Sequence, residues 1–302
     1  MRILAMILCA LAASTLDFSS PAHSAAPAPA SAAGEERLAH ISIRALGSGD
    51  PVLLVPGLST PREVWSQIAP ELAKKHRVLV VQVNGFAGDS VGANDQPAIL
   101  DGIVENIHAY MASHRLRPAA VVGHSMGGLV AMKLALAHRA DVSKLMIVDS
   151  FPFAGVMFDP GATVDAVRPM AAMLKTKMEA GYPGEAGQAA ADATANGLAA
   201  KPSSRAQVRS WILAANPKVG AEAMAEDLTT DLRPDIGKIA APMTVVHPST
   251  ALGKDAAATD SFYRAQFAGA KQTRFVGIPD SAHFVMLDQP QAFAAAVRDF
   301  LK

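Results

Sequence analysis

Ala119-Ala120-Val121-Val122-Gly123-His124-Ser125-Met126-Gly127-Gly128-Leu129-Val130-Ala131-Met132 is the stretch from which the rest of the chain can be read. Four apolar residues run into a glycine-bounded turn, and helix-forming residues follow to Ala137. A Gly-x-Ser-x-Gly match alone is weak, but a strand before it and a helix after it make the pattern specific. In such a turn Ser125 is held in a strained backbone conformation. Side chains two residues to either side would collide, which is why Gly123 and Gly127 are needed. The turn lifts the Ser125 hydroxyl above the sheet and aims the free amides of the helix N-terminus at whatever that oxygen attacks.

Other short apolar runs punctuate the chain at Val52–Val55, Val78–Val81, Leu145–Val148 and Met243–Val246, with a further strand-like segment at Thr273–Val276. Continuous rather than alternating β-branched runs are what strands buried on both faces require. Helical patterns lie between them. The clearest carries Ile99, Ile103, Ile107 and Met111 on one stripe and predicts a helix from about Pro97 to His114. Strands alternating with helices give a mostly parallel sheet with helices on both faces, an α/β fold. The alternation stops after Asp149, and the Ala- and Met-rich stretch to about Pro234 reads as a helical insertion.

The expected organisation is a signal peptide at 1–24, a flexible leader at 25–37, a first core segment at 38–150, a helical cap at 151–236 and a second core segment at 237–302. The signal reading rests on Arg2, the apolar run from Ile3 to Ala13 and the small residues near Ala22-His23-Ser24 and Ala28-Pro29-Ala30. That run of about 11 residues is too short for the ~20 of a spanning helix, so no stable membrane span is expected. Export to the periplasm or medium follows, with a mature amino terminus between Ala25 and Ser31. The single cysteine, Cys9, lies inside the apolar run, so the exported chain is expected to be cysteine-free. Lys+Arg and Asp+Glu balance at 27 each, which argues against a nucleic-acid partner. Hydrophobic residues make up 50% of the chain, enough to exclude general disorder. One cysteine excludes a disulfide scaffold and a CxxC zinc ribbon. The sequence suggests neither a cofactor nor a metal site, and it leaves the oligomeric state open.

A serine hydroxyl needs a base to become a nucleophile. Of nine histidines, His283 is singled out because it sits on a loop between Thr273–Val276 and the helix Pro290–Leu301, at the carboxyl edge of the sheet where ligands of such sheets bind. His76, His108, His114 and His138 are expected on helices or helix ends, facing solvent. His124 is turned away from the serine by the geometry of the turn. A tetrahedral intermediate also needs two amide donors for its oxyanion. Met126 follows the nucleophile directly, and Leu58 stands in Pro56-Gly57-Leu58-Ser59 after the first long strand. Trp65 could line the pocket or anchor its helix.

With these residues assembled, the chain from about Ala39 to Lys302 resembles the α/β-hydrolase fold family with a helical cap. The resemblance rests on Gly123–Gly128, Pro56-Gly57-Leu58, Asn84–Ser90, and His283-Phe284 with Gln289-Pro290 after it. It implies a serine nucleophile, an aspartate and a histidine in that chain order, and it disfavours the branches that use an aspartate nucleophile. The implied activity is hydrolysis of a small-molecule carboxylic ester through an acyl-enzyme. The same machinery serves lactones, thioesters and carbon–carbon bonds, and a catalytically dead ligand-binding member is the reading from another class. The cap methionines Met157, Met170, Met173 and Met178 could line an apolar pocket or form a helical core. The acid is the open assignment. The family usually carries it after the strand at Met243–His247, where Pro248-Ser249-Thr250-Ala251 contains none; Asp255 comes later and Asp260 later still. Asp149, at the end of the strand next in sequence, is the favoured alternative, because some branches carry the acid there.

Overall fold

The computed structural model describes residues 34–251 and 253–302. The signal peptide, most of the leader and Cys9 therefore lie outside the described residues. The core is one eight-stranded sheet: β1 (Glu35–Arg37), β2 (Ile41–Leu46), β3 (Asp50–Val55), β4 (His76–Val83), β5 (Ala119–His124), β6 (Val142–Val148), β7 (Met243–Pro248) and β8 (Thr273–Ile278). Its spatial order is β1-β2-β4-β3-β5-β6-β7-β8. β2 is antiparallel to β1 and β4, and every other pair is parallel.

The continuous apolar runs have a direct cause. Successive side chains of a strand point to opposite faces, and here both faces are covered. Leu53, Val55, Leu79, Val81, Val121, Leu145, Ile147 and Val245 belong to one core layer, with the helices Ile99–Ser113 and Met126–Ala137. Their neighbours Val52, Leu54, Val78, Val80, Val122, Met146, Val148 and Val246 belong to the other, with Trp65 and, on the helix Pro290–Leu301, Phe293, Val297 and Phe300. Trp65 is fully buried and stacks on Phe293 at 6.2 Å, which is the anchoring role.

Three sequence expectations shift. The leader expected to reach residue 37 overlaps β1, because Glu35 is ion-paired with both Arg44 and Arg62 and its strand pairs with β2. His76, expected at a helix end, opens β4. Met173 is an exposed large apolar residue, whereas Met157 and Met170 pack against the core.

Between β6 and β7 the described chain holds four helices of 13 to 16 residues, Val164–Glu179, Gly184–Leu198, Pro202–Ala214 and Pro217–Thr229. The first packs against the fourth and the second against the third. The fourth is fastened to the core: the Glu226 carboxylate accepts the amides of Ala98, Ile99 and Leu100 at 2.6, 2.9 and 2.8 Å. These are orphan donors at the start of the Ile99–Ser113 helix, where negative charge is favoured.

Candidate active site

The carboxyl edge of the sheet gathers the functional side chains. β5 ends at His124 and β6 at Val148, and these two residues are paired in register, so Ser125 and Asp149 leave the sheet side by side. Two backbone bonds fix their exits, Ser125 N–H to the Val148 carbonyl at 2.9 Å and Asp149 N–H to the Val246 carbonyl at 2.8 Å. Ser125 has φ 55° and ψ −127°, a conformation L-residues rarely adopt; its cost is on the order of 1–3 kcal/mol and it persists only where the surroundings impose it. The surroundings do. A Cβ on Gly123 would lie 2.2 Å from the Gly127 carbonyl oxygen, and one on Gly127 would lie 2.4 Å from that of Val55. From Ala119 to Met132 every residue but Ser125 is buried.

His283 stands on the loop after β8. Its Nδ1 lies 2.6 Å from Asp149 Oδ2, and the other carboxylate oxygen, Oδ1, accepts the hydroxyl of Tyr263. Burial alone would raise the Asp149 carboxyl, but the His283 charge and the bonds from His283 and Tyr263 outweigh it and hold the group below its ordinary value. Burial, with the Asp149 charge and hydrogen bond adding to it, pushes the Tyr263 phenol well above its usual range, so it remains a donor. Asp255 is occupied elsewhere, capping the helix Ala256–Gln266 by accepting the Ala258 amide at 2.8 Å. Asp260 pairs with Arg264 at 2.5 Å. Of the three aspartates weighed from the sequence, Asp149 is the one brought to His283.

Around this pair the loop is fastened at several points. His124 is fully buried and its Nε2–H donates to the His283 carbonyl at 3.1 Å. Burial, reinforced by the nearby His283, lowers its imidazole to about 3, so it stays neutral and serves as a strut. Asp288, also fully buried, accepts the amides of Ala282, Ala200 and Lys201 at 3.0, 2.8 and 3.1 Å. The His283 loop is thereby stitched to the junction between two cap helices. On the opposite side, a Cβ on Gly57 would come within 3.0 Å of Ser125 Cβ, so the segment carrying Leu58 passes close to the serine. Met126 is the first residue of its helix, and its amide has no helical acceptor.

Sequence reasoning did not find Tyr263, Asp288 or Asp227. Asp227 lies on the cap helix Pro217–Thr229, deep in the fold yet partly open to solvent, and close enough to His283 to feel its charge. Burial raises its carboxyl to about 7, only partly opposed by His283. Nothing in local pattern marks these residues, because Tyr263 meets Asp149, Asp227 meets His283 and Asp288 meets the Ala200 and Lys201 amides, all far away in the chain.

Residues 52–296 match the model of the alpha/beta hydrolase family. The chain belongs to that family. It is 29% identical over 264 residues to the pimeloyl-[acyl-carrier protein] methyl ester esterase of Edwardsiella ictaluri, a match covering 84% of this chain and 93% of that one. The Aeromonas hydrophila enzyme of the same name is 33% identical over 112 residues, 37% of this chain and 42% of its own length. Several other curated relatives are likewise matched over only about two fifths of their length. Among solved structures, a thermophilic esterase from Thermogutta terrifontis superposes with a TM-score of 0.71 at 22% identity, covering 89% of this chain and 98% of that one. The alpha/beta hydrolase is thus esterase-like in sequence, and the structural match shows the shared fold. Among the described residues no helix is long and apolar enough to cross a membrane.

Proposed function

We propose that this alpha/beta hydrolase cleaves a small-molecule carboxylic ester through an acyl-enzyme on Ser125. The observation that carries the reading is the 2.6 Å contact between His283 Nδ1 and Asp149 Oδ2, beside a partly exposed serine held at positive φ. With Nδ1–H donated to the carboxylate, the imidazole presents its other nitrogen, Nε2, as the acceptor for the serine proton. Ser125 Oγ then attacks the ester carbonyl, and the amides of Leu58 and Met126 receive the negative charge that develops on its oxygen. His283 returns the proton to the leaving alcohol. Water enters, gives its proton to the same nitrogen and releases the acid, restoring the serine. Asp149 keeps the imidazole in the working tautomer and stabilises the imidazolium throughout. The names of the sequence relatives support the ester class. No step of this route calls for a cofactor or metal.

The test is turnover of p-nitrophenyl esters of increasing chain length, run beside lactones and thioesters. Ser125→Ala should lose about 10⁴- to 10⁶-fold in kcat. Asp149→Asn should lose about 10³- to 10⁴-fold while Asp255→Asn is nearly silent, and the reverse pattern would move the acid to Asp255. Export is part of the same proposal and rests on the sequence of residues 1–30 alone; a Met1 still present on protein recovered from the periplasm or medium would refute cleavage.

A further inference from the structure

A second cluster of chemically competent side chains stands at the opposite edge of the sheet. His138 and Asp141 immediately precede β6, while Glu105 and His108 sit one turn apart on the helix Ile99–Ser113. In sequence they form two unremarkable pairs, Glu105-x-x-His108 and His138-x-x-Asp141, separated by some thirty residues. The fold joins them. One ligand-type atom from each of His108, His138 and Asp141 lies within 4.8 Å of the others. His108 Nδ1 is 2.7 Å from Asp141 Oδ2, and His138 Nε2 is 2.8 Å from Glu105 Oε1. The imidazole rings stack face to face, 3.7 Å between centroids and 10° from parallel. Asp141 is almost wholly buried, and its remaining oxygen accepts Arg117 Nη1 at 3.2 Å.

We infer that His108, His138 and Asp141 form a binding site for a divalent transition-metal ion such as zinc, with Glu105 as the fourth side chain in reach. Two imidazoles and a carboxylate are a donor set that suits zinc, and the fold already brings the donor atoms of all three residues together. Arg117 holds Asp141 Oδ1, which leaves Oδ2 for the ion and fixes the carboxylate's direction. The movement required is small. Two ligand atoms each about 2.0–2.1 Å from zinc in a tetrahedral site stand about 3.3 Å apart, so the His108–Asp141 contact opens by about half an ångström as the ion replaces the shared proton. His138 must also tilt out of the stack, because the ring nitrogens' lone pairs lie in the ring planes, and two nearly parallel rings with centroids 3.7 Å apart do not let them converge on one ion. Its side chain is 20% exposed and that of His108 30%, which leaves room for the tilt and a path for the ion.

The site is structural in its consequences. It would lock the Ile99–Ser113 helix to the turn between the Met126–Ala137 helix and β6. The seven residues of β6 separate it from Asp149, a span of roughly 23 Å. Zinc binding should therefore raise thermal stability without changing ester turnover.

The experiment is calorimetric titration of zinc chloride into untagged, chelator-treated full-length protein. Wild type should take up one equivalent with a Kd of about 10 µM or tighter, and the His108→Gln/His138→Gln variant should bind at least about 100-fold more weakly. Zinc should raise the Tm of wild type and not of that variant. Because substitution can perturb folding, zinc-edge anomalous diffraction from wild-type crystals supplies an independent reading, with a peak expected between His108, His138 and Asp141. Absence of a saturable equivalent in wild type, an unchanged Kd in the double variant, or a peak elsewhere would each overturn the site.

Discussion

Tyr263→Phe isolates the bond that holds the buried carboxylate. Tyr263 is 1% exposed, its hydroxyl donates to Asp149 Oδ1, and its ring stacks on His247 at 4.3 Å and 12°. Phenylalanine keeps the ring and the stacking, so the change deletes one donor and opens no ring-sized cavity. A hydrogen bond to a charged group contributes about 1.5–3 kcal/mol, and its loss leaves Oδ1 buried without that partner. We expect that loss in unfolding free energy at pH 7. The same loss caps the effect on kcat at about 10- to 150-fold, since each 1.4 kcal/mol is a factor of ten, with KM little changed. The pH dependence gives a second signature. Asp149 is depressed in the fold, so its contribution to stability is present above the unfolded carboxyl value of about 3.9 and is lost as pH falls through the folded one. Removing the Tyr263 donor relaxes that depression, so the penalty should be greatest near neutrality and shrink below about pH 4. Urea unfolding at pH 7 and pH 3.5, with ester turnover measured alongside, decides it. Wild-type stability and wild-type kcat at pH 7 would refute the claim that Tyr263 supports the carboxylate.

Two further titrations follow from the site. His124 is lowered to about 3 by burial, so the native state refuses a proton that the unfolded chain accepts from about pH 6.5 downward, and stability should fall by about 2 kcal/mol between pH 7 and pH 5 on this account; His124→Asn should flatten that slope in urea melts, and an unchanged slope would count against it. Asp227 is raised to about 7, mainly by burial, so it costs stability as pH climbs from the unfolded carboxyl value through 7. Asp227→Asn should gain on wild type as pH rises from 5 to 8, and a constant difference across that range would contradict the assignment.

How much of this was legible in the sequence depends on the distance over which each signal acts. Five of the six parallel strands announce themselves because burial on both faces demands unbroken apolar runs, whereas β8, at the sheet edge, is mostly half-buried or exposed and carries a weaker pattern; the helix Pro290–Leu301 has the bounds expected of it. β2 was hidden. Ile41 and Ile43 alternate with Ser42 and Arg44, the period of a half-buried strand rather than of a run, and β1 is three polar residues whose strand character comes from pairing and from the Glu35 ion pairs. The serine turn is legible because its glycines act within two residues. Asp149 was one of several candidate acids, since choosing among them needs the register that sets β6 beside β5. Tyr263 and Asp288 carry no local mark, as the carboxylate of Asp149 that the first holds and the cap amide of Ala200 that the second holds lie 114 and 88 residues away. The same holds for the His108–His138 stack, where two histidines read as facing solvent meet, one on the helix Ile99–Ser113 and one in the turn before β6.

Ser125 as the covalent nucleophile is the centre of the proposed chemistry, and active-site labelling reads it directly. Treatment with a fluorophosphonate, followed by intact mass measurement and peptide mapping, should show one adduct per chain on the peptide containing Ser125. Ester turnover should fall in proportion to labelling, and Ser125→Ala should take up no label. Undiminished turnover in fully labelled protein, or an inactivating adduct on any other residue, would contradict the account.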